Sequence, residues 1–322
     1  MLKPCSKEQC PLSLSEKSMF CSLGEKPPFR RSYLTPSANA KNMGFHRIHI
    51  ATNGIEFAKS SDFAFHARAA GLHVVYLQFD GTSEEKNRHR NIGNGMEVKQ
   101  RALQNIAATG MRTTLQVSVV NGLDNDGLGD IVRFAIENVD KIHGVIFQPV
   151  MFTGRDEDIT DDERYARYPA SQLAYDLQEQ TAIGWQPMRD WFPASAYGIF
   201  GHLCDVLHPE AKVGNLFCDI HPNHGIFSPL LVNVDTKETI PVAAFFNVER
   251  FMHDIVEITD SGRGPMITKA LLALSVLHNF DQDRAPSGFD ALSVAHVTAG
   301  GCASWLPFPE VTNCLETCSN RS

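Results

Sequence analysis

The sequence has no apolar run approaching the roughly 20 residues that cross a bilayer, which argues against a membrane-spanning helix. Its start, MLKPCSKEQCPLSLSEKSMF, lacks the continuous apolar stretch of a signal peptide. The location expected is therefore the cytoplasm, or a position peripheral to the membrane. No long basic run is present, and the formal net charge is −8. A nucleic-acid partner is not expected, because neutralising phosphates takes clustered Lys and Arg. No P-loop, G-x-G-x-x-G or Ser/His/Asp arrangement stands out. The eight cysteines (Cys5, Cys10, Cys21, Cys204, Cys218, Cys302, Cys314 and Cys318) crowd toward the ends of a long chain. That distribution does not make a small disulfide framework.

The 322 residues are 43% hydrophobic, which suits a globular protein with a sizeable core. Residues 1–43 are rich in Ser, Pro, Lys and Cys without a period, and predict an irregular N-terminal segment. From there the pattern alternates. His46–Ala51 reads as a strand, Ser60 opens a helix to about Ala70, and LHVVYLQF over Leu72–Phe79 reads as a strand covered on both faces. A helix from about Gly95 to Thr109 leads to the strand Thr113–Val120, with Leu115, Val117 and Val119 on one face. Leu128, Ile131, Val132, Ala135, Ile136 and Val139 follow helical spacing, with Asn125 or Asp126 as the expected cap. GVIFQPV, Gly144–Val150, is the next buried strand. Strands alternating with helices imply a parallel α/β sheet, because parallel strands need crossovers.

Past Val150 the alternation weakens. Pro169–Ala182 predicts a helix, and residues 184–225 a loop-rich stretch in which Trp185 and Trp191 read as core anchors. Leu230–Val234 and Thr239–Ala244 predict a hairpin, followed by amphipathic helices over Val248–Thr259 and Pro265–His278. The acidic DEDITDDE, Asp156–Glu163, reads as a solvated loop.

In parallel β/α folds the site lies at the carboxyl ends of the strands. Those ends read Thr52-Asn53-Gly54, Gln78-Phe79-Asp80-Gly81, Asn121-Gly122 and Gln148-Pro149. Each offers an uncharged hydrogen-bonding side chain, and such a ring suits a polar ligand with hydroxyls, an amine and a carboxylate. Taken singly, Asn-Gly and Asp-Gly are ordinary turn dipeptides.

The segments HIATNGIEFA, VVYLQFDG, DIVRFAIENVDKIHGVIFQPVMFTGR and HPNHGIFSPLLVN resemble the radical S-adenosylmethionine (SAM) family that includes the archaeal tetraether-lipid synthases. The resemblance covers about Gly44 to Gly288. It implies a partial (β/α) TIM-type barrel over 44–183, an auxiliary-cluster-like module with C-terminal helices over 184–288, and an irregular tail over 289–322. It further implies SAM bound along Thr52, Asn53, Gln78, Asp80, Asn121 and Gln148. The implied cofactors are SAM and a 4Fe-4S cluster, with ferredoxin or flavodoxin as electron donor. The implied reaction is hydrogen abstraction by a 5′-deoxyadenosyl radical from an unactivated carbon of a small molecule or a lipid chain.

The family's cluster motif, C-x3-C-x2-C, does not occur in this sequence; Cys314-x3-Cys318 supplies half of it, with Arg at 321. The Gly-Gly-Glu turn that would meet the SAM amine is also absent. The expectation is a chain that resembles an internal portion of the family, with the two leading βα units missing or replaced by residues 1–40, two exposed sheet edges, and poor solubility or association unless residues 1–40 cover the edge. A second metal site is suggested by Cys218, His221 and His224 within CDIHPNH, since a thiolate and two imidazoles suit zinc or iron. In the resembling family this segment carries cysteines of an auxiliary cluster. Two alternatives stand beside the radical enzyme: an inactive barrel acting as a binding module, and a mononuclear metal enzyme at Cys218, His221 and His224.

Overall fold

A computed structural model describes residues 18–22, 47–82, 95–122, 125–150, 168–207, 225–286 and 292–299. The first half is a run of βα units. Strand β1 (Ser18–Ser22) pairs with β2 (Arg47–Thr52), followed by helices α1 (Ile55–Lys59) and α2 (Ser61–Ala69). Then come β3 (Leu72–Gln78), α3 (Gly95–Ala107), β4 (Arg112–Val119), α4 (Leu128–Glu137), β5 (Ile142–Pro149) and α5 (Ala170–Gln180). The start of α2 is fixed as its sequence predicts, with the Ser60 hydroxyl accepting from the Phe63 N–H at 3.2 Å.

All pairings from β1 through β5 are parallel, and each strand neighbours its predecessor. The order never reverses, so there is no switch point of the doubly wound kind. Right-handed crossovers repeated in one direction put every helix on one face. That face buries Ile48, Ile50, Val75, Leu77, Leu115, Val117, Val145 and Phe147 against α1, α3, α4 and α5.

The second half follows as α6 (Pro187–Asp190), β6 (Phe192–Pro193), α7 (Tyr197–Leu207), β7 (Ile226–Asn233), β8 (Thr239–Pro241), α8 (Val248–Asp260), α9 (Pro265–Asn279) and β9 (Leu292–Ala299). The predicted hairpin is present as β7–β8, with Leu230 opposite Pro241 and Val232 opposite Thr239. The two predicted amphipathic segments are α8 and α9. The opposite face of the sheet packs Val74, Tyr76 and Ile146 against Phe192, Tyr197 and Phe227, so the β6–α7 unit fills the hollow side. The Tyr197 and Phe227 rings stack at 4.0 Å.

Several expectations are corrected. Residues 18–22, within the segment expected to be irregular, form β1 and cover the edge of β2. Residues 292–299, expected to be tail, form a strand between β5, which it joins in parallel, and β7, which it joins antiparallel. Neither strand has strong apolar alternation of its own; each is made by pairing with strands distant in sequence. The expected loop-rich stretch contains α7, an eleven-residue helix. The barrel is not closed: among the described residues the sheet runs from β1 to β6 with β8 off its path, and the ends do not pair. Its parallel winding is interrupted where β7 turns antiparallel, so the strands that would complete a parallel circuit are replaced by a hairpin. No helix among the described residues is long and apolar enough to cross a membrane.

His143 is the extra residue where β4 and β5 shift register, with Ile142 opposite Thr113 and Gly144 opposite Thr114. Burial, with the Arg112 guanidinium beside it, pushes its pKa down from the usual 6.5 to about 4. Folding therefore requires a neutral imidazole. The stability this contributes is complete above pH 6.5 and is lost as pH falls from there toward 4. A His143→Gln variant is expected to flatten the fall in unfolding free energy, read from urea titrations across that window, by on the order of 2 kcal/mol relative to the parent. Parallel curves for the two proteins would refute it.

Candidate cofactor site at the carboxyl ends of the strands

Side chains alternate along each strand, so the register assigns a face to each residue. On β3, Val75 and Leu77 face the helices, which leaves Gln78 on the hollow side. On β4, Leu115, Val117 and Val119 face the helices, which leaves Thr114, Gln116 and Ser118 on the hollow side. On β5, Val145 and Phe147 face the helices and Ile146 belongs to the hollow-side cluster, so Gln148 stands with it. Gln78 lies in register with Gln116, and Ser118 with Gln148. The Gln116 Nε2 amide donates to Gln148 Oε1 at 2.6 Å. The hollow face thus changes along the strands from Val74, Tyr76 and Ile146 to a row of carboxamides and a hydroxyl at their carboxyl ends.

Gln116 and Ser118 were not among the residues the sequence singled out. Their signal is the alternation in TTLQVSVV, where both polar residues share the phase opposite Leu115, Val117 and Val119. Below them, the Thr114 hydroxyl is fully buried without a hydrogen-bond partner and stands in register with Gly144, which adds no side chain.

Thr52 and Asn53 serve the turn that follows β2. Thr52 Oγ1 accepts from the Gly54 N–H and Asn53 Oδ1 from the Ile55 N–H, both at 3.1 Å. Gly54 sits at φ 85°, and a Cβ there would meet Leu77 Cδ1 at 2.5 Å, so only glycine lets α1 start so close to β3. The Asn53 carbonyl accepts from Lys99 Nζ at 2.7 Å, and Lys99 is a buried lysine on α3. Asp80 is buried just past β3, where the Phe79 N–H donates to the Gln116 carbonyl at 2.8 Å.

Asn121 lies apart from this row. It is exposed, accepts from Asn125 Nδ2 at 2.9 Å, and borders a separate cavity of about 540 Å³ with Tyr168, Gln172, Asp176 and Gln180. In that cavity Tyr168 donates to the Asp176 carboxylate, and burial together with this bond pushes the Tyr168 pKa upward. The structure therefore joins Gln78, Gln116, Ser118 and Gln148, uses Thr52 and Asn53 in the turn beside them, and places Asn121 elsewhere.

Cys218, His221 and His224 lie outside the described residues. Cys204 is buried on α7 within the hollow-side cluster. Among the described residues no group of three or more His, Cys, Asp or Glu is placed to hold a metal ion. For the radical-SAM type of iron–sulfur cluster the donor set does not fit, since the sequence has no C-x3-C-x2-C, while Cys218, a candidate ligand of a second cluster, lies outside the described residues. For SAM the fit is better, because carboxamides and hydroxyls supply both donors and acceptors to an adenine edge, ribose hydroxyls and a carboxylate.

These features define a mixed α/β protein, with a parallel sheet wound in one direction and a polar row at its carboxyl ends. No family model matches the sequence. The chain is similar to 7,8-dihydro-6-hydroxymethylpterin dimethyltransferase from Methanocaldococcus jannaschii, with 32% identity over 252 residues. The match covers 77% of this chain and 48% of the relative, so the chain spans about half the length of the curated relative it matches.

Proposed function

We propose that this chain is a radical SAM-like protein that holds SAM along Gln78, Gln116, Ser118 and Gln148 and takes part in one-carbon transfer to a polar heterocyclic substrate. The observation that carries the reading is the Gln116–Gln148 amide pair at 2.6 Å on the hollow face of the strand ends. It places two carboxamides where parallel β/α proteins bind ligands. Similarity to a pterin dimethyltransferase supports both the one-carbon transfer and the heterocycle. It moves the reading away from the lipid chain that the tetraether-lipid resemblance implies. The row agrees, because a carboxamide carries more donors and acceptors than one bond uses, which suits a polar ligand better than a hydrocarbon. Hydrogen abstraction by a cluster-derived radical is not assigned to this chain's own side chains. Their part is to bind and orient: Lys99 fixes the Asn53 carbonyl, and the Gln116–Gln148 bond sets the direction of both amides.

Equilibrium dialysis of the full chain with SAM tests the reading. The parent is expected to bind, and Gln116→Ala to bind about tenfold more weakly, a loss of about 1.4 kcal/mol. Asn121→Ala, at the separate cavity, should bind as the parent does. A parent that fails to bind, or a Gln116→Ala protein with unchanged affinity, overturns the proposal.

A further inference from the structure

Helix α9 is apolar on the wrong side. Its buried positions are Thr268, Leu272, Ser275 and Asn279, three of them polar. Two of them are held by α8: the Ser275 hydroxyl donates to Asp254 Oδ2 at 2.5 Å, and Asn279 Nδ2 donates to the same oxygen at 2.9 Å. The outward face carries Met266 at 85% exposure, Leu277 at 69%, Leu274 at 61% and Ile267 at 56%. Lys269, the lysine of this helix, is drawn to the Leu207 carbonyl at the end of α7, at 3.1 Å. A helix that hides threonine, serine and asparagine while showing methionine and leucine to water is built for cover.

We infer that the outward face of α9 is the contact by which two copies of this chain form a two-fold dimer. The order of side chains argues for a second copy. Met266, Ala270, Ala273 and Leu277 recur at spacings of four, three and four, the seam of an antiparallel helix pair. A two-fold axis through the middle of α9 sets Met266 of one copy opposite Leu277 of the other, and Ala270 opposite Ala273. Large side chains meet at the ends, and small ones let the backbones approach at the centre. A self-complementary pattern of this kind is what an isologous interface requires.

The area agrees. Met266, Ile267, Leu274, Val276, Leu277 and Phe280 together present an apolar patch on the order of 600 Å². That reaches the top of the range for patches on monomers and approaches the ~800 Å² that a standard interface takes from each partner. The face also lacks acidic side chains, so the net charge of −8 is kept away from the contact.

Sedimentation equilibrium of the full chain is expected to give twice the 35.7 kDa chain mass. Sulfate should strengthen the dimer, as burial of apolar surface predicts. Leu277→Lys should return the protein to one chain mass with unchanged circular dichroism, since Leu277 is 69% exposed. Met188→Lys, at an equally exposed methionine on α6, should leave the dimer intact. A parent that sediments as a single chain across the range would overturn the inference and assign the face to a different occupant. A Leu277→Lys protein that remains dimeric would overturn it as well.

Discussion

Trp185→Ala is expected to cost about 3–5 kcal/mol of folding stability, the range for emptying a large aromatic site in a core. Trp185 is 1% exposed and packs in the helix-facing core, with Trp191 tilted against it at 5.6 Å. Its indole Nε1 donates to Ser228 Oγ at 2.9 Å, and Ser228 is fully buried on β7. The bond spans 43 residues and ties the segment after α5 to the antiparallel half of the sheet. Truncation therefore has two costs: a cavity, and a buried hydroxyl without its donor. Trp185→Phe separates them in part, since it keeps a six-membered ring in the core, removes the N–H and leaves a smaller void, with an expected loss of about 1–2 kcal/mol. Urea denaturation of the three proteins checks the order. Equal losses for the two variants would show that the hydrogen bond, not the packing, carries the effect. A loss below about 1 kcal/mol for Trp185→Ala would contradict the packing described.

Gly129→Ala is expected to destabilise the protein by about 2 kcal/mol, against the usual sign for a glycine in a helix. Replacing helical glycine by alanine ordinarily gains about 1 kcal/mol from propensity. Here the added Cβ would meet the Gln180 carbonyl oxygen at 2.6 Å and the Gln180 Cβ at 2.7 Å. The oxygen belongs to backbone and cannot swing away, so α4 and α5 must part, and overpacking of this kind costs about 1–3 kcal/mol. The same approach carries hydrogen bonds. Gln180 Oε1 accepts from the Gly129 N–H at 2.9 Å, Gln180 Nε2 donates to the Asn125 carbonyl at 2.6 Å, and Arg133 donates to the Gln180 carbonyl at 2.6 Å. Forcing the helices apart loses these as well, so the clash outweighs the propensity. Thermal unfolding should show a midpoint lower by roughly 4–8 °C. A midpoint at or above the parent value would contradict the close approach.

Gln180 also shows where sequence reading reaches its limit. The start of α4 was expected to be capped locally by Asn125 or Asp126. The residue before the helix is instead Gly127, without a side-chain cap, and Asn125 spends its amide on Asn121 and Gly122. The capping acceptor comes from Gln180, 51 residues away. Local patterns capture what neighbours in sequence decide. The continuous apolar run of β3, the Ser60 cap of α2 and the two-phase pattern of β7–β8 are all of that kind. They do not capture β9, whose place is set by β5 on one side and β7 on the other.

The site follows the same division. Gln78 and Gln148 end apolar runs and stand out from their neighbours. Gln116 lies inside a strand whose apolar face draws attention to Leu115, Val117 and Val119, and it stands out only when the fold brings its amide within 2.6 Å of Gln148 Oε1 on the neighbouring strand. Asn121 carries the same chemistry in sequence, yet one turn of chain beyond β4 takes it to another cavity.

SAM is proposed to lie on the carboxamide row and not in the cavity bordered by Asn121. Nitrogen-15 labelling of glutamine side chains, with each resonance assigned by single Gln→Glu variants, reads both places in one spectrum. On adding SAM, the Nε2 signals of Gln116 and Gln148 should shift together and saturate, while those of Gln172 and Gln180 beside the second cavity stay in place. Shifts confined to Gln172 and Gln180, or none in any of the four, would contradict the account.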